Sequence, residues 1–228
     1  GLPNRQPKSP LHELKWHEKA KRSARSKPIK TKNERELMEK LFITPNQLLE
    51  DSFNLGKMIF ESGFRPHFIV GVWRGGTPVG IAVQEYLEYK GIEADHIAIR
   101  TSSYYGIGQR DKVVKVHGLQ YIIDNINADD ELLLVDDVFD SGRSIVAILD
   151  ELKAKSRLNM PETVKIACPW YKPEKNMTDI EPDYFLHPTD RWLVFPHELV
   201  GLSKDELSEG KSFLSEDTHT LFDSDEHS

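Results

Sequence analysis

Cysteine is almost missing from this chain, because Cys168 is the single one among 228 residues. One cysteine excludes an intrachain disulfide, and its place in the apolar run at residues 164–170 favours a small buried side chain. Sequences without disulfides are typical of reducing compartments, so we expect the protein in the cytoplasm.

Long apolar runs are missing too. No run approaches the ~20 residues that a membrane-spanning helix requires. The first residues also lack the charged start, apolar segment and small-residue cleavage site of a secretory signal. We therefore expect no membrane partner.

The chain has no excess of positive charge, since its net charge is −7. Proteins that bind nucleic acid usually carry a basic face, so a nucleic-acid partner is not favoured. Ten lysines and arginines nevertheless lie within residues 1–33, whereas acidic residues dominate from Asp205 onward. We expect a basic, arm-like or disordered N-terminal segment at 1–40, a folded domain at 41–203 and an acidic tail at 204–228.

Apolar strands alternate with amphipathic helices through the central part of the chain. The predicted strands are residues 67–73, 92–100, 113–116, 132–135, 164–170 and 192–195, and the predicted helices are residues 45–62, 78–90 and 144–155. Residues 101–111 are polar, aromatic and glycine-containing, which is typical of a mobile loop. This order predicts an α/β fold, a mainly parallel twisted sheet flanked by helices, with ligands at the carboxyl ends of the strands.

The most informative segment runs from residue 131 to residue 144. Asp136, Asp137 and Asp140 directly follow a buried strand, where crowded carboxylates need water, a cation or ligand hydroxyls. The next residues supply a glycine, two hydroxyls and a cation where a helix begins and its first N–H groups are unpaired. Such a segment suits a ligand with sugar hydroxyls at one edge and a phosphate at the other.

The segment has two alternative interpretations. The acid pair could be a solvated turn followed by a chance helix cap. Paired acids after a strand also occur in phosphoacceptor receiver domains, but that interpretation does not account for the sequence Asp-Ser-Gly-Arg-Ser at residues 140–144. Phosphate binding explains more of the segment.

Residues 135–144 resemble the 5-phosphoribosyl-1-diphosphate (PRPP) motif of the type I phosphoribosyltransferases at every position. The resemblance implies a parallel α/β domain with a small hood region. It also implies that Asp136 and Asp137 engage the ribose hydroxyls, directly or through Mg²⁺. The 5-phosphate would be bound by Asp140, Ser141, Gly142, Arg143 and Ser144.

Two further segments resemble loops of the same family. Residues 70–80 resemble its diphosphate loop, which often contains a cis peptide, and this implies diphosphate binding by Arg74 and Gly75. Residues 100–106 resemble the flexible catalytic loop of hypoxanthine and guanine phosphoribosyltransferases, which implies a lid carrying Ser103 and Tyr104. A surface arginine and ordinary loop residues are the plainer alternatives.

The last two segments resemble the base-binding parts of purine enzymes. Lys172 would meet the oxygen at C6 of an oxo purine, Trp192 would stack on the base, and the carbonyl of Leu193 would meet its other edge. A core position remains the alternative for Trp192. Glu198 matches an acid that lies near the metal in the family, so Asp136, Asp137 and Glu198 are the implied metal ligands.

The resemblance implies a purine salvage enzyme that uses PRPP and Mg²⁺, with Asp140 as the catalytic base, and that forms a dimer or tetramer. Two alternatives stay open. One is a PRPP-sensing regulator that acts through the basic arm, and the other is a phosphoribosyltransferase with a different acceptor base.

Overall fold

The computed structural model describes residues 40–105 and 112–214. The basic arm predicted within residues 1–40 lies outside the described residues except for Lys40. Residues 106–111 of the predicted loop and the last part of the acidic tail, from residue 215, also lie outside them. The domain boundaries given above therefore remain predictions. Within the described residues, no helix is both long and apolar enough to cross a membrane.

The elements alternate along the chain as follows. The strands are β1 (Leu41–Phe42), β2 (Phe68–Trp73), β3 (Asp95–Tyr105), β4 (Lys112–His117), β5 (Glu131–Val135), β6 (Val138–Phe139), β7 (Thr163–Tyr171), β8 (Tyr184–Pro188) and β9 (Leu193–Val194). The helices are α1 (Pro45–Glu61), α2 (Gly76–Tyr89), α3 (Gln120–Asn125), α4 (Arg143–Ser156) and α5 (Lys204–Gly210).

The main sheet has the order β4-β3-β2-β5-β7-β6, and β8 also pairs with β7. Every pairing in it is parallel except the one between β3 and β4. β1 and β9 form a separate parallel pair. The prediction of a mainly parallel sheet flanked by helices is confirmed. We call the small β1–β9 pair, with the adjoining Trp192, the hood.

Local sequence explains why the first helix begins where it does. The hydroxyl of Thr44 accepts a hydrogen bond from Gln47 N at 3.1 Å, and Pro45 occupies the first helical position. Both choices suit the start of a helix, because the cap satisfies an unpaired N–H and proline lacks one. Leu48, Leu55 and Ile59 then face the core.

Alternate residues of the central strands enter two different cores. Leu132 and Leu134 of β5 pack on the side of α4, whereas Leu133 and Val135 pack on the side of α1 and α2. All four are completely buried. Cys168 of β7 is also buried, as the sequence predicted. A strand covered on both faces needs such a continuous apolar run, and its carboxyl end then opens at the edge of the sheet.

Residues 101–105 differ from the sequence-based prediction. They belong to β3 instead of a loop, because they pair antiparallel with β4, from Thr101 opposite Val116 to Tyr105 opposite Lys112. Cross-strand pairing with the β-branched residues of β4 outweighs the polar, loop-like composition of this segment. The sequence pattern does not predict β1, β6, β8, α3 or α5, which are short or weakly apolar.

Candidate active site

The acid pair and the predicted diphosphate loop lie in direct contact. β2 and β5 are neighbouring parallel strands, so the turns after both strands meet at the same edge of the sheet. A Cβ atom on Gly75 would come within 1.7 Å of Asp137 Oδ2, and one on Gly76 within 2.4 Å of Val135 O. Glycine at both positions therefore lets the two turns approach each other. The peptide bond between Trp73 and Arg74 is cis.

The surroundings of the acid pair favour the protonated form of Asp136. Burial raises the pKa of Asp136 well above its ordinary value, and the neighbouring charge of Asp137 raises it further. A hydrogen bond of 2.9 Å from Asp137 N to Asp136 Oδ1 opposes this effect in part. On the other side, Nε2 of His197 lies 3.6 Å from Asp137 Oδ2. Two carboxylates in this setting are poised to receive a cation or hydroxyl donors.

The turn into α4 combines a left-handed glycine with an uncapped helix start. Gly142 adopts φ 76°, a left-handed conformation that favours glycine, and a Cβ there would lie 2.5 Å from Thr178 Oγ1. No side chain caps the described helix α4 at its N-terminus, so N–H groups of its first turn point into the turn without a side-chain acceptor. Free N–H groups at the start of a helix are the feature that phosphate sites use, and Arg143 is the first residue of this helix.

The middle of β3 contacts the start of α4, next to this turn. The hydroxyl of Thr101 donates to Ser144 Oγ at 3.4 Å. This contact connects the segment that carries Ser103 to the predicted 5-phosphate turn. The structure describes the backbone of Tyr104 but not its side chain.

Lys172 and Asp140 form an ion pair across the site, with Lys172 Nζ 3.0 Å from Asp140 Oδ2. Lys172 follows β7, and its backbone N–H donates to Phe139 O at 2.9 Å, next to Asp140. The lysine side chain is 8% exposed and the aspartate side chain 44%. The amine is thus held in place within the protein, while the carboxylate faces the open side.

The hood offers an exposed aromatic ring, that of Trp192, and a backbone carbonyl, that of Leu193, which is directed away from β1. Trp192 is 56% exposed, which contradicts the alternative that it is a core residue. Its carbonyl accepts a hydrogen bond of 2.8 Å from Leu41 N, and Val194 O accepts one of 2.9 Å from Ile43 N. Carbonyls alternate in direction along a strand, so that of Leu193 points away from β1.

One cavity of about 370 Å³ is lined by six of the predicted site residues. Its lining consists of Asp137, Val138, Asp140, Lys172, Lys175, Trp192, Leu193, Phe195 and Glu198. A neighbouring cavity of about 500 Å³ shares Trp192 and Glu198 and contains Arg74 and Lys40. Ser103 lines neither cavity. The structure therefore brings Asp137, Asp140 and Glu198 together with Lys172 and Trp192, and places Arg74 in the neighbouring cavity. Neither lining contains Asp136, Gly75 or residues 141–144.

Sequence reasoning missed His197 and Phe195 as parts of the site. Their rings stack with centroids 5.7 Å apart, and His197 also approaches Asp137. Thr178 was missed as well, although it packs against Gly142. The signal for His197 was its place beside Glu198 after a short strand, whereas Thr178 lies in an irregular segment without a recognisable pattern.

The donor set at the acid pair fits a hard divalent cation, because carboxylate oxygens are the ligands that Mg²⁺ prefers. Within residues 40–105 and 112–214, no group of three or more His, Cys, Asp or Glu side chains could hold a metal ion. An ion at Asp136 and Asp137 would therefore need further oxygens from a bound ligand or water. The carboxylate of Glu198 accepts a hydrogen bond of 2.9 Å from Phe195 N.

Curated relatives support the same family. The chain is 26% identical over 148 residues to a hypoxanthine-guanine phosphoribosyltransferase of Streptococcus pyogenes, covering 64% of this chain and 77% of that protein. It is also 26% identical over 174 residues to the hypoxanthine-guanine phosphoribosyltransferase of Streptococcus thermophilus, covering 74% and 87%.

Solved structures agree with this fold. A purine phosphoribosyltransferase from Pyrococcus horikoshii superposes with a TM-score of 0.56 at 27% identity, covering 72% of this chain and 97% of that one. A xanthine-guanine-hypoxanthine phosphoribosyltransferase from Helicobacter pylori superposes with a TM-score of 0.56 at 22% identity, covering 76% and 99%, which supports the fold alone. The sequence model of the phosphoribosyl transferase domain matches residues 44–199, more than half of the chain. The chain therefore belongs to the phosphoribosyl transferase family and is an enzyme of the glycosyltransferase type.

Proposed function

We propose that this protein transfers the 5-phosphoribosyl group of PRPP to a ring nitrogen of an oxo purine, namely hypoxanthine, guanine or xanthine. The products are a nucleoside monophosphate and diphosphate, as purine salvage requires. The observation that carries the proposal is that Asp137, Asp140, Lys172 and Trp192 line one cavity. The relatives named as hypoxanthine-guanine enzymes support the choice of acceptor.

The polar groups of the cavity suit an oxo purine better than adenine. A lysine ammonium only donates hydrogen bonds, so it matches the oxygen at C6 of hypoxanthine or guanine and opposes the amino group of adenine. The exposed indole of Trp192 offers a stacking face worth about 1 kcal/mol beyond the area it covers. The carbonyl of Leu193 would accept a hydrogen bond from the other edge of the base.

Binding of PRPP is proposed at the turns after β2 and β5. Asp136 and Asp137 would hold the ribose hydroxyls. The 5-phosphate would lie against Ser141, Gly142, Arg143 and Ser144 at the start of α4. Arg74 and the backbone of Gly75 would receive the diphosphate, and Ser103 and Tyr104 would close over the site as a lid, which remains a prediction.

The reaction breaks the bond between the ribose C1 and the diphosphate oxygen, which keeps the electron pair. A new bond forms between C1 and the attacking nitrogen of the base. The base loses one proton, which Asp140 accepts through its half-exposed carboxylate. Holding base and sugar in line supplies most of the acceleration, because little covalent help is needed.

A Mg²⁺ ion, when bound, would neutralise charge on the departing diphosphate. Asp136 and Asp137 are the residues that would hold it, together with ligand oxygens. Glu198, the third ligand that the family resemblance implied, does not form a metal-binding group with them within the described residues. Asp137 is fixed on its other side by His197, at 3.6 Å.

The test is a panel of hypoxanthine, guanine, xanthine, adenine and uracil, each with PRPP and Mg²⁺, in which diphosphate release is followed. We expect turnover with at least one oxo purine and none with uracil. A reaction without base controls for PRPP hydrolysis. Turnover with uracil or adenine alone would assign a different acceptor, and PRPP binding without any turnover would favour a sensing role. Light scattering of the same preparation tests the predicted dimer or tetramer.

A further inference from the structure

The short helix α5 packs against the hood from outside the matched family domain. The family match covers residues 44–199, so both β1 and α5 lie beyond its ends. Ser203 and Glu206 form a capping box at the start of α5, which fixes its first turn. Gly210 at its last turn would bring a Cβ within 2.3 Å of the Phe42 ring, so the helix lies directly on β1.

Lys211 follows α5 and is completely buried. Its ammonium donates a hydrogen bond to the carbonyl of Phe195 and lies 5.9 Å from the centre of the Phe42 ring. A buried ammonium is costly unless it is hydrogen-bonded, and an apolar side chain could fill the same space without that cost. The particular contribution of the amine is therefore its directed bond to Phe195.

Phe195 begins the turn that forms one wall of the proposed base cavity. Its carbonyl also accepts a hydrogen bond of 3.0 Å from Glu198 N, and its N–H donates to Glu198 Oε2 at 2.9 Å. Lys211 thus fastens a turn whose two ends, Phe195 and Glu198, both line that cavity.

A second contact reaches the stacking tryptophan. Glu206 of α5 pairs with Lys40, and the Lys40 ammonium lies 5.5 Å from the centre of the Trp192 ring. Lys40 and Trp192 line the neighbouring cavity together, whereas Trp192 also lines the proposed base cavity. The side of the indole that meets Lys40 is therefore held through α5.

The hood is a very short pair of strands. β1 and β9 are two-residue strands joined through Leu41 N to Trp192 O and Ile43 N to Val194 O. A strand pair of only two residues on each side fixes the position of an exposed indole weakly. Misplacement of a substrate by about 1 Å can cost on the order of a hundredfold in rate, so additional anchoring would matter for the base.

We propose that helix α5 positions the base-binding hood, with Lys211 as a positioning residue for the acceptor base and Glu206 as its second anchor. This inference rests on the proposed purine function. The anchors contact the hood directly, whereas they reach the turn after β5 only through His197, which lies 3.6 Å from Asp137. We therefore expect their removal to weaken binding of the base much more than binding of PRPP.

The test compares Lys211→Met with wild type in steady-state kinetics, varying base and PRPP separately. We expect the KM for the base to rise about tenfold and the KM for PRPP to change less than about twofold. Lys57→Met is the matched control, since Lys57 is an exposed residue of α1 paired only loosely with Glu61 at 3.8 Å. It should leave both KM values unchanged.

Calorimetric binding of PRPP shows whether Lys211→Met is folded. If it fails to fold, Glu206→Gln decides, and a selective rise of the KM for the base supports the inference. Equal rises in both KM values, or an unchanged KM for the base, overturn it. Wild-type protein that turns over no purine overturns the proposed function and this inference together, whereas active wild type with unaffected variants overturns the inference alone.

Discussion

Lys172 Nζ lies 3.0 Å from Asp140 Oδ2, so the two residues assigned to opposite tasks on the base are partners of each other. The lysine is nearly buried and the aspartate is half-exposed. An entering oxo purine would insert its C6 oxygen and its acidic nitrogen beside this pair, taking one donor from the lysine and offering one proton to the aspartate. The ion pair thus holds both groups at the place where the base is proposed to bind.

Replacing Asp140 by asparagine removes the proposed proton acceptor and keeps the shape of the side chain. We expect kcat to fall about a hundredfold or more, because general-base catalysis contributes about 10²–10⁴. PRPP should still bind within a few-fold of wild type, as measured by calorimetry. The control is Asp129→Asn, an exposed carboxyl in the turn before β5. An unchanged kcat for Asp140→Asn would refute the assignment of the base.

Replacing Lys172 by methionine tests recognition of the C6 oxygen. A hydrogen bond to a charged group is worth about 1.5–3 kcal/mol, so the KM for hypoxanthine or guanine should rise about ten- to a hundredfold. The KM for PRPP should change little. If the KM for PRPP rises as much as that for the base, Lys172 acts on the sugar site or on the fold instead of on the base.

Glycine is needed at position 75 because the diphosphate loop lies so close to the acid pair, and not because of its backbone conformation. A Cβ there would lie 1.7 Å from Asp137 Oδ2, although the φ of −67° suits any residue. We expect Gly75→Ala to weaken PRPP binding at least about tenfold, because the loop or the carboxylate must move. Calorimetric titration with PRPP measures this.

Gly91→Ala is the matched control for that variant. Gly91 has φ +83° and no atom within 4 Å of an added Cβ, so its substitution costs backbone strain of about 1–2 kcal/mol without touching the site. It should lower stability and preserve PRPP affinity. Equal losses of PRPP affinity in both variants would show that the effect of Gly75→Ala is one of general stability.

The sequence predicted the centre of the site better than its surroundings. The segment around Asp136 combines strand, acids and glycine within a few neighbouring positions, so its local pattern specifies its structure. Residues 101–105 were misread because pairing with β4 is a long-range effect that composition does not show. His197 and Lys211 escaped notice for the same reason, since their partners Asp137 and Phe195 are brought to them by the fold.

The acid pair predicts a particular dependence of stability on pH. The pKa of Asp136 is raised in the folded protein, first by burial and then by the charge of Asp137. Below the unfolded-state pKa of about 4, the Asp136 carboxyl is protonated in both states and does not lower the free energy of unfolding. As the pH rises through the folded-state pKa, burial of this carboxyl makes the folded protein progressively less stable. At pH 8 the folded protein must therefore either keep a proton or bury a charge.

Asp136→Asn removes this penalty, so without PRPP and Mg²⁺ it should melt at a higher temperature than wild type at pH 8. The difference should shrink as the pH approaches 4, because the wild-type carboxyl is then protonated in both states. Thermal unfolding followed by circular dichroism in chelator measures it, with Asp129→Asn as a control whose difference from wild type should not follow this course. The same variant should bind PRPP poorly, because the amide replaces a carboxylate proposed to hold the ribose. If the variant is less stable than wild type at pH 8, then Asp136 does not lower folding stability, and the proposed exchange of stability for ligand binding is wrong.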